Sequence, residues 1–328
     1  MNTPIVLFIF KRKNSLLKII ERIRTVKPSK IYLVSDQGRN VNEIELVKDV
    51  RNAVEKAIDW DCTIIKDYAK SNRGVYKNIG LGALRVFENE ERAIFLEDDN
   101  LPEVSFFQYC EEMLDLYQDN NKVLWICGTN YYKSITTPSK NDNYYFTKHL
   151  LPCGWASWKN KFERFYDKDL ILLESKESMR RFKESYSSRS LYKQQLRDII
   201  DEKNRRASGK MYSSWDYHML LSIRAQNLFG IMPANNQITN IGDDDYSTHG
   251  GKSMRNAMIS RFCQVGSQEF SFPIEKKECI IDKTVEKMIG KKILYPITLR
   301  IHIRINRCIK QVFGIPYDKS LKKLLHLR

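Results

Sequence analysis

The stretch Arg92-Ala-Ile-Phe-Leu-Glu-Asp-Asp-Asn100 carries an apolar run directly into three consecutive carboxylates. Arg92 to Leu96 reads as an apolar strand, and Glu97, Asp98 and Asp99 as the loop it delivers. Neighbouring carboxylates repel, so a cluster of this kind usually has a cation to hold. Hard divalent ions such as Mg²⁺ or Mn²⁺ take oxygen ligands and share them with substrate phosphates. A solvated acidic turn that caps the next helix is the competing reading of the same residues.

Upstream, the same order of apolar run, polar loop and helical spacing occurs three times. Ile5 to Phe10 is a continuous apolar run, the chain turns at Lys11 to Asn14, and Leu16, Leu17, Ile20 and Ile23 repeat at helical spacing. Lys30 to Val34 predicts a second strand, followed by the loop Ser35-Asp-Gln-Gly-Arg39 and a helix from Glu43 to Ala57. Cys62 to Ile65 predicts a third strand, followed by Asn72-Arg-Gly74 and a helix from Val75 to Asn89. Four such units predict an α/β fold with a mostly parallel sheet flanked by helices and right-handed crossovers. Ligands of such sheets bind at the carboxyl ends of the strands. Arg12, Asp36, Asn72 and the Glu97-Asp98-Asp99 cluster all follow strand ends, so one edge collects four polar features.

Downstream, the pattern predicts a helix from Phe106 to Tyr117 and a strand at Val123 to Cys127. Residues 129–160 read as aromatic loop, ending in Cys153-Gly-Trp-Ala-Ser-Trp158, and residues 159–210 as charged helix. A helix from Tyr212 to Ala225 has Ser213 and Ser214 as candidate N-caps. Asp243, Asp244 and Asp245 lie in a glycine-flanked loop with His249 and form a second candidate metal site or a lid. In the tail, Ile297, Leu299, Ile301, Ile303 and Ile305 alternate with Arg300, His302 and Arg304, which predicts an edge strand. Lys319 to Arg328 predicts a short basic helix.

Of 328 residues, 42% are hydrophobic and 29% charged, which supports a packed interior and excludes a disordered chain. Lys and Arg total 55 against 40 acids, a net +15. From Gly290 to Arg328 ten bases face only Asp318, so that segment carries +9 and the rest of the chain +6. The excess is therefore an appended surface, suited to an anionic membrane, rather than a basic active site. A nucleic-acid binder would interleave bases with aromatics on one face, and a Mg-dependent nuclease would need a second set of carboxylates at clear spacing. Neither pattern is found, and the predicted site edge is acidic. Seven cysteines without a CxxC pair argue against a zinc site or disulfide framework and for free thiols in a reducing compartment. Met1 to Ser15 lacks the apolar length and charge order of a signal peptide, and no run reaches the roughly 18 apolar residues of a membrane span. The expectation is a cytoplasmic protein, peripheral on the inner face of the membrane.

Beyond these readings, the ordered set of motifs resembles a family. Val6 to Arg12, Val34-Ser-Asp-Gln-Gly38, Asn72-Arg-Gly74, Phe95-Leu-Glu-Asp-Asp99, Gly154-Trp-Ala-Ser-Trp158, Ser214-Trp-Asp-Tyr217 and Asn240-Ile-Gly242 with His249 are similar to elements of GT-A fold glycosyltransferases. The branch resembled is that of N-acetylglucosaminyltransferase I, with its bacterial family 2-like sugar transferases. The resemblance covers residues 3–275. It implies a GT-A domain over residues 1–275, with a nucleotide-sugar half at 1–127 and an acceptor half at 128–275, and a basic extension at 276–328.

The resemblance also implies roles. Asp99 would bind a Mn²⁺ or Mg²⁺ that bridges the donor diphosphate, with His249 as a further metal ligand. Arg12, Asp36, Asn72, Glu97 and Asp98 would contact the nucleotide-diphosphate sugar. Asp216 would be the general base of an inverting transfer, removing the proton of an acceptor hydroxyl. Trp155, Trp158 and Trp215 would face the sugar or acceptor, although large aromatics more commonly pack in cores. Arg12 within Lys11-Arg-Lys13 also reads as an exposed cation, Asp36 as a turn former, and Asp216 as a helix first-turn acid. The activity implied is transfer of a sugar from a nucleotide-diphosphate donor, a UDP-sugar by preference, to a glycan or lipid-linked acceptor in bacterial surface polysaccharide synthesis. The rivals are a nucleotidyltransferase, whose glycine-rich loop after the first strand is missing at Phe10 to Asn14, and an inactive scaffold of the same fold.

Overall fold

The computed structural model describes residues 1–136, 142–242, 263 and 265–315. Its first half follows the apolar runs. Strand β1 (Ile5–Ile9) is buried on both faces, as are β2 (Lys30–Ser35) from its second residue and most of β4 (Arg92–Glu97). With β3 (Thr63–Tyr68) they form a parallel block in the order β3-β2-β1-β4. Helix α1 (Lys13–Val26) buries Leu16, Ile19, Ile20 and Ile23, one helical stripe laid on the sheet. Helix α2 (Val41–Ala57) starts where Asn40 Oδ1 accepts the Glu43 N–H at 3.0 Å. The segment expected to be one helix from Val75 is a π-helical turn, Tyr76–Gly80, running into α3 (Leu81–Phe87).

Beyond β4 come β5 (Asn100–Pro102), α4 (Ser105–Leu116) and β6 (Val123–Cys127). The region expected to be aromatic loop contains two strands, β7 (Tyr144–Thr147) and β8 (Trp155–Trp158). Strand β8 inserts antiparallel between β4 and β6, and the eight-stranded sheet reads β3-β2-β1-β4-β8-β6-β9-β7, with β9 spanning Phe229–Pro233. Strand β8 shows no alternation because both its faces are covered, so a strand of only four residues looks like a loop with tryptophans. One mostly parallel sheet flanked by helices thus runs through both halves of the chain. A separate ribbon pairs β5 with β10 (Ile238–Asn240).

The charged stretch folds into α5 (Lys159–Phe165), α6 (Lys176–Glu184) and α7 (Arg189–Ala207), followed by α8 (Asp216–Ala225). Helix α8 starts four residues later than expected, and Ser213 is not its cap. The Ser213 N–H donates to Glu202 Oε2 at 2.6 Å, because the buried Glu202 carboxylate needs donors more than the helix end does. In the C-terminal segment, α9 (Lys283–Ile293) packs Val285 and Ile289 into the core beside Met219 and Leu220. The alternating isoleucines that follow form a helix, α10 (Ile297–Val312), where an edge strand was expected. The period of two is only apparent. On a helix Leu299 and Ile303 face the body, while Ile297, Ile301 and Ile305 face out. Lys319 to Arg328 lie outside the described residues.

Candidate active site

The carboxyl ends of β1, β2 and β4 open into a cleft of about 450 Å³. Arg12, Asp36, Asn72, Glu97 and Asp98 all line it, with Lys11, Arg39, Phe10 and Asn78. Five residues singled out from sequence thus converge on one wall system.

Their contacts separate their roles. Arg12 Nη1 lies 2.9 Å from Asp98 Oδ1 and 3.3 Å from Asp99 Oδ2, so its guanidinium lies against two carboxylates. Asp98 Oδ2 also accepts the Phe10 N–H at 3.1 Å, tying β4's end to β1's. Asp99 Oδ1 accepts from Asn100 Nδ2 at 2.6 Å, and its backbone carbonyl accepts the Ile241 N–H at 2.9 Å. Gly242 then passes so close that a Cβ there would stand 2.4 Å from Asp99 Oδ2 and displace that carboxylate. The Asn240-Ile-Gly242 element therefore backs the acidic cluster.

Asp36 is different. Its Oδ1 accepts the N–H groups of Gln37 and Arg73 at 2.8 and 2.6 Å. Its Oδ2 accepts from Gly74 N–H at 2.9 Å and Asn72 Nδ2 at 3.1 Å. Four donors fill the four lone-pair positions of a carboxylate, so Asp36 organises the 72–74 loop and has no acceptor position left for a nucleotide base. Asn72 Nδ2 is likewise held, by Asp36 and by Gln37 O at 2.7 Å.

Glu97 ends β4 half-buried. Its carboxyl is held well above the usual carboxylate range by burial first, then by the charges of Asp99, Asp98 and Asp216, with Arg12 opposing. Asp216 therefore lies near enough to the cluster for its charge to bear on Glu97. Asp216 begins α8, with Oδ1 accepting the Tyr217 N–H at 3.1 Å. It also lines a second, smaller cavity of about 100 Å³ with Asp198, Gln194, Tyr131 and Tyr295. Burial, against the pull of Arg197, pushes Asp198 up to about 6. Close approach makes this placement possible: a Cβ on Gly80 would meet Tyr166 Oη at 2.6 Å and Trp215 Cβ at 2.9 Å.

The tryptophans expected to face sugar do not. Trp155 and Trp158 are 1% and 4% exposed, within β8 rather than a loop. Trp155 stacks on Phe95 and Trp125 at 3.8 and 4.3 Å, and Trp158 Nε1 donates to Leu114 O at 3.0 Å. Trp215 is 2% exposed and packs on Trp125 and Trp155. All three are core, and Trp215 serves as the apolar wall behind Asp216. His218 is fully buried and held at about 4 by burial, with Nδ1 against Asp167 O at 3.0 Å. His249 and Asp243 to Asp245 lie outside the described residues.

Asn78 and Asp198 escaped the sequence reading. Asn78 lies on the π turn, 5% exposed, and its Oδ1 has no hydrogen-bond partner. π turns are frequent at functional sites, but an unbroken helical pattern hides them. Asp198 is one acid among many in a charged helix until α7 is packed.

Among the described residues no group of three or more His, Cys, Asp and Glu side chains is arranged to hold a metal ion. Divalent ions in phosphate chemistry commonly use only one or two carboxylates, the substrate phosphates supplying other oxygens. Three consecutive carboxylates, Glu97, Asp98 and Asp99, at a strand end, with Asp216 near and the Arg12 guanidinium against two of them, are a donor set that fits such a cation.

No family model matches the chain, and no curated protein matches it. Solved structures similar to it include apo UDP-glucose pyrophosphorylase, at 12% identity over 73% of this chain and 93% of that one, TM-score 0.37. Another is mannose-1-phosphate geranyltransferase from Thermus thermophilus, at 10% identity over 74% and 76%, TM-score 0.37. A third is glucosyl-3-phosphoglycerate synthase from Mycobacterium tuberculosis in complex with Mn²⁺, UDP and glucosyl-3-phosphoglycerate, at 7% identity over 48% and 57%, TM-score 0.28. These likenesses are too distant to carry an activity, a substrate or a metal to this chain.

Proposed function

We propose that the protein is a metal-dependent glycosyltransferase that moves a sugar from a nucleotide-diphosphate donor, a UDP-sugar by preference, to a hydroxyl of a glycan or lipid-linked acceptor, with inversion. One observation carries this reading. Asp216 lines the smaller cavity, and it lies near enough to Glu97, on the wall of the larger cleft, for its charge to raise that carboxyl. A base between a donor site and an acceptor site is what a displacement between two bound substrates requires.

In this reading the nucleotide occupies the larger cleft, its base against Phe10 and the Asn78 amide. Arg12 exchanges a carboxylate partner for a donor phosphate. Asp99, with Glu97, would hold a divalent ion, which when bound neutralises the diphosphate and makes it a better leaving group. The acceptor enters the smaller cavity. Its hydroxyl proton passes to an Asp216 carboxylate oxygen as the acceptor oxygen bonds to the anomeric carbon. The bond from that carbon to the diphosphate oxygen breaks, and its electron pair leaves with the diphosphate. Asp36 and Asn72 act here as supports of the cleft rim. A role in polysaccharide synthesis is the corresponding biological expectation.

Thermal melting with nucleotides and nucleotide sugars, with and without Mn²⁺, tests the reading. A ligand that binds the native state alone raises the midpoint. The expected result is a rise with one nucleotide that requires metal and is lost in Asp99→Ala. No rise with any donor under either condition overturns it, and a salt-sensitive rise with oligonucleotides points to a nucleic-acid binder. Pyrophosphate release from a nucleoside triphosphate and a sugar phosphate would instead mark a nucleotidyltransferase.

A further inference from the structure

Helix α10 carries an apolar stripe that nothing in the donor cleft explains. Ile297, Ile301 and Ile305, at four-residue steps, are 63%, 52% and 52% exposed, and Val312 and Phe313 extend the stripe at 78% and 72%. The spacing places Ile297, Ile301, Ile305 and Val312 on one side of the helix, and Phe313 stands at its C-terminal end. The opposite side, Leu299 and Ile303, turns toward the body, and the Arg307 guanidinium reaches Asp201 on α7 at 3.1 Å.

One edge of this stripe is a row of arginines, Arg300, Arg304 and Arg307. Facing them on α7 are Lys193 and Arg197. Between the helices lies a cleft of about 410 Å³ lined by these five cations. Asp198 and Asp201 balance Arg197 and Arg307. Among the described residues Lys193, Arg300 and Arg304 have no ion-pair partner, and Arg300 Nε is buried without a hydrogen-bond partner. An unbalanced set of guanidinium groups is suited to phosphate oxygens.

We propose that α10 docks on an anionic bilayer. The stripe of Ile297, Ile301, Ile305, Val312 and Phe313 enters the boundary between headgroups and acyl chains, and the arginine cleft takes the phosphates of anionic lipid headgroups. An exposed apolar stripe edged by arginines complements both layers of such a surface, as in interfacial amphipathic helices. The helix lies on the membrane and does not cross it; among the described residues no helix is long and apolar enough to cross. The proposal stands independently of the transferase reading.

The full-length protein is sedimented with vesicles of phosphatidylcholine alone and of phosphatidylcholine with phosphatidylglycerol. Binding is expected on the anionic vesicles only, weakening as salt rises. Ile301→Ser with Ile305→Ser, both exposed positions, is expected to weaken it about tenfold. Arg300→Gln with Arg304→Gln is expected to abolish the preference for anionic lipid. Both variants keep the wild-type melting temperature and the wild-type response to nucleotide. Equal binding to neutral vesicles, no binding to anionic ones, or binding unchanged in the isoleucine variant overturns the proposal. So does a dimer in solution that the isoleucine substitutions dissolve, which would make a second copy the occupant. Salt-sensitive capture of an RNA duplex that ignores the isoleucines would overturn it as well.

Discussion

Two clusters of charge lie in this molecule, and they are built on opposite terms. One joins Lys148, His149, Arg224 and Glu286 where β7, α8 and α9 meet. There Arg224 is 1% exposed and donates from Nη2 to His149 Nδ1 at 2.9 Å, lies 3.8 Å from Glu286 Oε1, and covers the Tyr186 ring at 3.8 Å. Thr147 Oγ1 donates to Glu286 Oε2 at 2.7 Å, and Lys148 Nζ reaches Leu228 O at 2.7 Å. Opposite charges meet, and most polar groups are satisfied. The other cluster, Glu97, Asp98, Asp99 and Asp216, sets like charges together at a cleft, and burial first, then those charges, make Glu97 resist ionisation against the pull of Arg12. The first arrangement holds α9 to the body and needs no ligand. In the second, four carboxylates share the Arg12 guanidinium, an excess of negative charge that a bound cation would relieve. Excess charge of one sign clusters at functional sites more often than in scaffolding, where charges are balanced.

The sharpest way to break this contrast is at Asp216. Asp216→Asn is expected to lower transfer about a thousandfold while leaving nucleotide binding intact, measured as turnover beside a nucleotide titration. In the balanced cluster the expectation reverses. Arg224→Leu takes the donor from buried His149 Nδ1 and a nearby cation from Glu286, and should cost about 3 kcal/mol, seen by urea denaturation, because a buried polar group left unpaired is costly. If that variant were as stable as the parent, the network would not be what ties α9 down.

The buried imidazoles sharpen the comparison with pH. Burial holds His149 at about 4, Glu286 pulling it up and Arg224 pushing it down, and His218 is likewise held at about 4. In the unfolded chain both titrate near 6.5, so between these values the unfolded state binds more protons. Stability should be full above pH 6.5 and fall, on the order of a few kcal/mol, as pH drops toward 4. His149→Gln retains an acceptor for Arg224 and should roughly halve that slope, His218 supplying the rest, in denaturation curves taken across the range. The smallest effect concerns the strained cluster. Glu97→Gln removes a carboxyl that pays for ionising among its neighbours, so it should stabilise the fold by about 1 kcal/mol while reducing activity. A destabilised Glu97→Gln protein would mean the cluster is not under-compensated.

The parallel half was legible because each β1, β2 and β4 strand is an apolar run and each helix shows one stripe; local pattern and tertiary burial coincide there. Of the site, the residues at strand ends were legible, since the topology of the sheet gathers whatever follows β1, β2 and β4. What pattern could not supply was competition between partners. Asp36 looked like a ligand contact until four loop donors were seen to occupy it. Trp155 looked like a loop aromatic because its strand spans four residues and is covered on both faces. The isoleucines after Pro296 satisfy both a period of two and a four-residue step, and only packing against α7 decides between them.

Gln194 holds a position whose significance is mechanical. Its Oε1 accepts the Tyr295 N–H at 2.8 Å and its Nε2 donates to Ile293 O at 3.2 Å, while the residue lines both the Asp216 cavity and the arginine cleft. One amide therefore clamps the α9–α10 joint to the partition between the two chambers. With α10 seated on a surface, an amphiphilic acceptor would be sought by diffusion in a plane, and its supply would be counted in molecules per unit area instead of per unit volume.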